Sequence, residues 1–138
     1  MAYKVFIDGQ EGTTGLRIVE RLKKRDDIEL ILIDEALRKN SFERKRLINE
    51  SDYTFLCLPD AAAMESVSLV ENPHTKIIDA STAHRTNPGW AYGFPELSAE
   101  HRAKIANSKR VANPGCYASG FNALVYPMVK SGQIAPYH

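Results

Sequence analysis

The chain has 138 residues, 43% of them hydrophobic, which is the size and composition of one packed globular domain. Its net charge of +1 provides no global field to attract nucleic acid or an anionic membrane. Two cysteines exclude a disulfide framework and fit a reducing compartment. No run approaches the roughly 18 apolar residues of a membrane span, and no signal-peptide core opens the chain, so we expect a cytoplasmic protein.

The first predicted unit is a strand, a glycine turn and a helix. Tyr3 to Asp8 is a short, β-branched and aromatic run that stops at Gly9, which predicts a buried strand ending in a tight turn. Behind the turn, Leu16, Val19 and Leu22 recur at three-residue spacing beside charged residues. This periodicity predicts an amphipathic helix.

Three further apolar runs predict strands over residues 29–34, 53–58 and 76–80. Helix-capable stretches over residues 41–49 and 60–70 separate them. Strands that are apolar on both faces are typical of a parallel sheet with helices packed on both sides. We therefore predict an α/β fold with a Rossmann-like, mostly parallel sheet and helices on both faces.

The second half continues this alternation. Residues 83–95 contain Asn-Pro-Gly and Gly-Phe-Pro, which predicts a long loop of the kind that is often functional. Ser98 begins a predicted helix, and residues 109–112 are a short strand candidate. Residues 117–130 predict a mostly apolar helix that we expect to be buried. Residues 131–138 suggest that a further strand or crossover begins, as in a chain that is unfinished.

Three glycines, Gly9, Gly12 and Gly15, are spaced G-x-x-G-x-x-G between the first strand and the first helix. Glycine tolerates a positive φ and leaves no Cβ in the way of a ligand, while the N–H groups of a helix N-terminus favour an anion. In this context the glycines predict binding of a dinucleotide pyrophosphate. The commoner spacing is G-x-G-x-x-G, and a tight turn with close helix packing is the simpler alternative.

The preference between NAD and NADP stays open. Asp34, 19 positions after Gly15, stands where an acidic residue ordinarily bonds the 2′-hydroxyl of NAD. Arg38 and Lys39 follow shortly after and can instead pair with the 2′-phosphate of NADP. Solvated side chains without a ligand are an equally good interpretation of these two basic residues.

Cys116 lies in the segment ANPGCYASGF, behind a Pro-Gly break and ahead of a predicted helix. Helix N-termini favour the thiolate, which is the nucleophilic form of cysteine, and ligands gather at strand ends in open α/β sheets. This context predicts a working nucleophile. A buried small apolar residue is the alternative, and it is the interpretation that we give to Cys57 in the apolar run FLCLP.

Four segments together resemble N-acetyl-γ-glutamyl-phosphate reductase of arginine biosynthesis, in its shorter form. They are the glycine turn, DASTAHR over residues 79–85, YGFPEL over residues 92–97 and ANPGCY over residues 112–117. The resemblance spans almost the whole chain. It implies the NADPH-dependent reduction of an acyl phosphate to N-acetylglutamate 5-semialdehyde, through a thioester on Cys116.

The resemblance also implies roles for other residues. Those expected to bind the cofactor NADP(H) are Gly9, Gly12, Thr13, Thr14, Gly15, Arg38 and Ser81. Arg85 and Asn113 are expected to contact the substrate, a small acyl phosphate. His84, as a loop histidine, is expected at the surface or at a helix cap rather than in catalysis. We expect no metal, nucleic acid or membrane among the partners.

Members of this family resemble glyceraldehyde-3-phosphate dehydrogenase in having a second, α+β domain after the cysteine helix. That domain supplies the catalytic histidine, basic substrate-binding residues and the interface of a homo-oligomer. We therefore expect residues 1–138 to be an NADP-binding domain that carries the catalytic cysteine and, without the C-terminal domain, is weakly active or inactive.

Three alternatives to this function stay open. One is another acyl-phosphate or semialdehyde reductase, such as aspartate-semialdehyde dehydrogenase, and another is a non-catalytic nucleotide-binding module. The third is a short-chain dehydrogenase, suggested by the Y-x-x-x-K spacing of Tyr126 and Lys130. Pro127 between them disfavours it, because proline disturbs the helical spacing that this pair requires.

Overall fold

A computed structural model, which describes residues 1–137, shows strands and helices alternating along the chain. Within these residues the strands are β1 (Tyr3–Asp8), β2 (Ile28–Ile31), β3 (Tyr53–Leu56), β4 (Lys76–Asp79), β5 (Ala91–Tyr92) and β6 (Arg110–Ala112). The α-helices are α1 (Thr13–Leu22), α2 (Ser41–Glu50), α3 (Asp60–Ser68), α4 (Ala99–Asn107) and α5 (Cys116–Lys130).

The six strands form one sheet in the order β2-β1-β3-β4-β6-β5, and each neighbouring pair is parallel. Parallel neighbours require crossover connections, and helices supply most of them here. The predicted Rossmann-like α/β fold is therefore confirmed.

The core is built mainly on the α2 and α3 side of the sheet. Phe6, Leu56 and Ile77, from β1, β3 and β4, are buried there. Leu47 and Ile48 of α2 pack against them, together with Ala63 of α3, Trp90 and Ala112. Val5 and Ile7 alternate with Phe6 and are also buried, so β1 is covered on both faces.

The α1 side of the sheet is less fully covered. Phe55 of β3 and Ile78 of β4 are half-buried there. They line a cavity of about 500 Å³ beside Ile18 and Arg21 of α1. Two-sided coverage therefore holds for β1 but only in part for β3 and β4.

Several predicted strand boundaries were wrong. β2 ends at Ile31 rather than at Asp34, because the Asp34 carboxylate accepts a hydrogen bond from the N–H of Ala36 and begins a 3-10 helix (Glu35–Leu37). β3 ends at Leu56, two residues early. β5 lies inside the predicted long loop, and its two residues are too few to show a strand pattern.

The expectation that the last helix is buried was also wrong. No side chain of α5 is buried, and Tyr117 and Leu124 are 92% and 73% exposed. Pro127 lies inside α5 without ending it. Residues 131–137 form turns and bends rather than a strand, and His138 lies outside the described residues. Among residues 1–137 no helix combines the length and apolar character needed to cross a membrane.

A buried ion pair joins β1 to the helices on the core side. The Nε and Nη2 atoms of Arg44, in α2, each lie 3.1 Å from Oδ2 of Asp8, with side chains only 7% and 4% exposed. The hydroxyl of Ser66, in α3, donates to the same oxygen at 2.7 Å and lies 2.5 Å from Arg44 Nη2. Because a carboxylate without a partner is costly to bury, these contacts hold the end of β1 against α2 and α3.

We expect Arg44→Leu to lower the free energy of unfolding by about 3–5 kcal/mol, because it leaves the buried Asp8 carboxylate without its cation. Urea denaturation measures this loss. Arg46→Leu is the matched control on the same helix. Arg46 is exposed and pairs with Glu43 and Glu50, so we expect a change of about 1 kcal/mol or less. Equal losses in the two variants would contradict a special role for the buried pair.

Candidate active site

The predicted site residues follow three different strands. The glycine turn follows β1, Ser81 comes two residues after β4, and Asn113 follows β6 directly. Because all strands are parallel, their carboxyl ends lie at one edge of the sheet, which is where ligands bind in open α/β folds. The topology therefore brings residues that are distant in sequence to a common edge.

Two glycines of the turn are required by the fold itself. Gly9 has a φ of +89°, and a Cβ there would overlap the carbonyl of Cys57 at the end of β3. A Cβ on Gly15 would overlap the carbonyl oxygen of Gly9 and lie 2.8 Å from the Cα of Gln10. The first helix can therefore pack against its own turn only if both positions are glycine.

Gly12 is different. It precedes α1 with an ordinary φ of −77°, and the nearest protein atom to a Cβ placed there is the Gly9 carbonyl oxygen, at 3.5 Å. Nothing among residues 1–137 therefore excludes a side chain at this position. A glycine with open space at a helix N-terminus is what close approach of a phosphate to the backbone requires.

Gln10 fixes the turn to the segment that follows β2, a contact that the sequence analysis missed. Its amide nitrogen donates to the carbonyl of Ile33 at 3.1 Å, and its amide oxygen accepts from the N–H of Ile33 at 3.3 Å. A side chain that both donates and accepts can replace a backbone partner in this way. The residue type is compatible with that role, but the contact depends on the tertiary structure.

Two cavities connect the glycine turn to the neighbouring strand ends. One, of about 230 Å³, is lined by Gly12, Thr13, Thr14, Cys57, Leu58 and Ala80. The other is the 500 Å³ cavity beside α1, which Thr13 and Thr14 share with Asn113. The structure thus brings three predicted site residues together in one cavity. Ser81, Arg85 and Cys116 do not line it.

Arg38 and Lys39 lie on the other side of the turn. They line a cavity of about 210 Å³ with Gly9, Gln10, Glu11 and Leu58, among others. Asp34 does not line this cavity, and one of its carboxylate oxygens is bonded to the N–H of Ala36. Of the three candidates for the ribose end of a dinucleotide, Arg38 and Lys39 therefore line this cavity and Asp34 does not.

Cys116 is the first residue of α5 and is exposed, with Gly115 as the N-cap. The predicted position at the start of a helix is confirmed. Cys57 lies just beyond β3 and is half-buried rather than inside the strand. Burial, followed by the charges of Asp8 and Asp79, raises the pKa of the Cys57 thiol to about 11. Cys57 therefore remains a thiol at neutral pH.

The expectation that His84 lies at the surface or at a helix cap was wrong. Its side chain is only 8% exposed, and Nδ1 lies 2.6 Å from Oδ2 of Asp79. The imidazole also stacks on Trp90, with 4.1 Å between ring centroids. Ser81 belongs to the same cluster, because its hydroxyl donates to Asp79 Oδ2 at 2.7 Å. A buried carboxylate at the end of β4 requires such donors, but the sequence does not show which residues supply them.

Arg85 contacts protein backbone. Its Nε donates to the carbonyl of Asn113 at 3.0 Å, and Nη2 donates to the carbonyl of Ala80 at 3.3 Å. The guanidinium also occupies the space beside Gly115, where a Cβ would lie 2.7 Å from Nη1. Arg85 therefore links the end of β4 to the turn before Cys116.

Comparison with known proteins agrees with this architecture. The family model "Semialdehyde dehydrogenase, NAD binding domain" matches residues 4–105. The N-acetyl-gamma-glutamyl-phosphate reductase of Trichormus variabilis is 57% identical over 129 residues, which are 94% of this chain and 40% of that protein. The chain thus spans about two fifths of the length of the curated relatives that it matches.

Two solved structures share the fold. An aspartate semialdehyde dehydrogenase from Francisella tularensis matches with a TM-score of 0.69 and 18% identity, over 96% of this chain and 42% of that one. An aspartate semialdehyde dehydrogenase with NADP, from Candida albicans, matches with a TM-score of 0.62 and 15% identity, over 95% of this chain and 48% of that one.

Fold and turn together define a dinucleotide-binding domain of the Rossmann type. The chain belongs to the NAD-binding domain family of the semialdehyde dehydrogenases. The residues present fit a nicotinamide dinucleotide, because Gly12 leaves open space at the N-terminus of α1 and cavities lie on both sides of the turn.

Substitutions at Gly12 and Gly15 are expected to separate binding from folding. Gly15→Ala forces a methyl group into the backbone of the turn, so we expect it to lower the free energy of unfolding by about 1–3 kcal/mol. Gly12→Ala places its methyl group in open space, so we expect a stability loss of about 1 kcal/mol or less, but at least about tenfold weaker NADPH binding.

Urea denaturation and fluorescence titration with NADPH measure the two effects. Unchanged NADPH affinity in a folded Gly12→Ala variant would show that the pyrophosphate does not approach this residue.

Proposed function

We propose that residues 1–138 form the NADP-binding domain, with the catalytic cysteine, of an N-acetyl-γ-glutamyl-phosphate reductase. The observation that carries the proposal is the position of Cys116, an exposed thiol at the start of α5. It comes three residues after Asn113, which follows β6 and shares a cavity with Thr13 and Thr14 of the glycine turn. The relative that is 57% identical bears the name of this enzyme. The reaction would belong to arginine biosynthesis.

In this proposal Cys116 attacks the acyl carbon of N-acetyl-γ-glutamyl phosphate. A bond forms between sulfur and carbon, the bond from carbon to the phosphate oxygen breaks, and phosphate leaves with a proton from solvent. The product is a thioester, which divides one difficult reduction into two easier steps. When bound, NADPH supplies the hydride that reduces this thioester. The resulting thiohemiacetal expels the Cys116 thiolate and releases N-acetylglutamate 5-semialdehyde.

The other residues of the proposed site would bind the cofactor or contact the substrate. Gly12, Thr13 and Thr14 would hold the pyrophosphate through backbone N–H groups and hydroxyls at the N-terminus of α1. Ser81 would stay beside the nicotinamide, held by its bonds to Asp79. Asn113 lines the cavity shared with the threonines and would contact the substrate. Arg85 already donates from Nε and Nη2 to backbone carbonyls, so it would contact the substrate through Nη1.

NADP is proposed as the cofactor rather than NAD. Arg38 and Lys39 line the cavity beside Gly9 and Gln10, and a planar guanidinium is well suited to binding a 2′-phosphate. The acidic candidate for NAD, Asp34, instead caps a 3-10 helix. The sequence left the choice between NAD and NADP open, and the presence of Arg38 and Lys39 in this cavity, without Asp34, supports NADP.

Arg38→Ala is expected to weaken NADPH binding at least about tenfold and to leave NADH binding unchanged, because only NADPH carries the 2′-phosphate. Fluorescence titrations with both cofactors measure this selectivity. Arg102→Ala, an exposed arginine on α4, is the matched control and should affect neither cofactor. An equal loss for both cofactors, or selective loss of NADH in Asp34→Ala, would contradict the assignment.

Incubation with N-acetyl-γ-glutamyl phosphate is expected to leave one acyl group on Cys116, because the thioester forms before any hydride is needed. Intact-mass and peptide mass spectrometry detect this adduct. Cys116→Ser should abolish the adduct but retain NADPH binding, and Cys57→Ser should retain both. Alkylation of Cys116 at the rate of an ordinary free thiol would favour a nucleotide-binding module without chemistry. Sustained turnover by residues 1–138 alone would contradict the proposed dependence on a second domain.

A further inference from the structure

The loop between β4 and β5 is held by buried polar contacts, of which the proposed reaction uses only those between Ser81 and Asp79. Asp79 is fully buried at the end of β4, and its Oδ2 atom lies 2.7 Å from the Ser81 hydroxyl and 2.6 Å from Nδ1 of His84. His84 stacks on Trp90, which is itself buried at the far end of the same loop. These contacts fix both ends of residues 81–90. We refer to Asp79, His84 and Trp90 as the loop cluster.

A third anchor lies between them. The N–H and hydroxyl of Thr82 donate to the two carboxylate oxygens of Asp60, the first residue of α3, at 2.9 and 2.5 Å. These bonds hold the pKa of the Asp60 carboxyl below its ordinary value. The backbone on either side of Arg85 is therefore held from β4 and Trp90 by buried contacts and from α3 by an exposed one, and these contacts together determine the position of Arg85.

Arg85 uses this position to connect two backbone segments. Its planar guanidinium donates from Nε to Asn113 and from Nη2 to Ala80, and so spans the end of β4 and the turn that leads to Cys116. Gly115, immediately before Cys116, leaves the space in which Nη1 lies. A lysine can donate from only one point and cannot reproduce this fork.

We propose that Arg85 is a positioning residue for Cys116 and that the loop cluster holds Arg85 in place. Arg85 sets the turn from Asn113 to Gly115, and this turn sets where α5 begins and where its first side chain projects. The inference rests on the proposed function for the importance of Cys116, but the contacts of Arg85 and of the loop cluster do not depend on that function. Its test needs neither substrate nor cofactor, so its failure is distinct from failure of the proposed reaction.

A fluorine label on Cys116 reports the conformation of this turn. Trifluoroacetonylation at pH 7 should modify Cys116 alone, because the raised pKa of Cys57 keeps that thiol protonated. Intact-mass spectrometry verifies that a single label is attached. The Cys57→Ser variant should give the same spectrum, which checks the assignment of the resonance to Cys116. We expect one narrow ¹⁹F resonance from the unsubstituted chain, as for a turn held in one conformation.

Arg85→Met is expected to replace that resonance with two or more, or to shift it toward its position in the urea-unfolded chain. Arg85→Lys should give the same spectral change as Arg85→Met, because the forked guanidinium, and not its charge, holds the turn in one conformation. Arg25→Met, which removes an exposed arginine paired with Asp27 near the other end of the sheet, should leave the spectrum unchanged. A wild-type spectrum in Arg85→Met would overturn the proposal, and so would full rescue by lysine.

Two substitutions at His84 test the loop cluster. His84→Asn retains a donor for Asp79 and should retain most of the single resonance. His84→Phe retains the stacking on Trp90 but loses the donor, so we expect the same spectral change as in Arg85→Met. If His84→Phe lowers the urea midpoint but leaves the ¹⁹F spectrum unchanged, the cluster serves stability alone and the proposal is wrong for His84.

Gly115→Ala tests whether Arg85 acts on the turn through its contact at Gly115. In the unsubstituted chain the added methyl group displaces the guanidinium, so we expect the spectrum of Arg85→Met. In the Arg85→Met background the same substitution should cause no further change, because the two residues act through one contact. Additive spectral changes would show that Arg85 and Gly115 act independently and would overturn the proposal.

Discussion

Parallel pairing of all six strands is the constraint on which the rest of this structure depends. It places every strand's carboxyl end at one edge of the sheet, so the glycine turn, Cys57, Ser81 and Asn113 come to that edge from four different strands. The turn then has to pass close to the end of β3, and Gly9 permits this approach because it carries no Cβ and takes a positive φ.

The same edge carries two buried carboxylates, each the last residue of its strand. Asp8 ends β1 and is paired with Arg44 and Ser66, whereas Asp79 ends β4 and is bonded to Ser81 and His84. A buried carboxylate is stable only with donors around it, so each one recruits side chains from other segments. The first joins helices to the core side of the sheet, and the second orders the loop that carries Arg85.

The two thiols illustrate how position distinguishes chemically identical groups. Cys57 and Cys116 both follow strands near this edge, but Cys57 is half-buried near Asp8 and Asp79, which raises its pKa to about 11. Cys116 is exposed at the start of α5. Desolvation and nearby negative charge suppress the thiolate at Cys57, so only Cys116 has surroundings compatible with nucleophilic chemistry.

The sequence by itself determined the α/β class, the first helix and its glycine turn, and the placement of Cys116, because apolar periodicity, glycine and proline act locally. Only the tertiary structure decided that His84 is buried against Asp79, that Arg85 bonds to backbone carbonyls and that α5 is exposed. Composition predicted a buried α5, but burial depends on which other element covers a helix. The same is true of partners for buried charges, since they come from residues far apart in sequence and meet only when the sheet has formed.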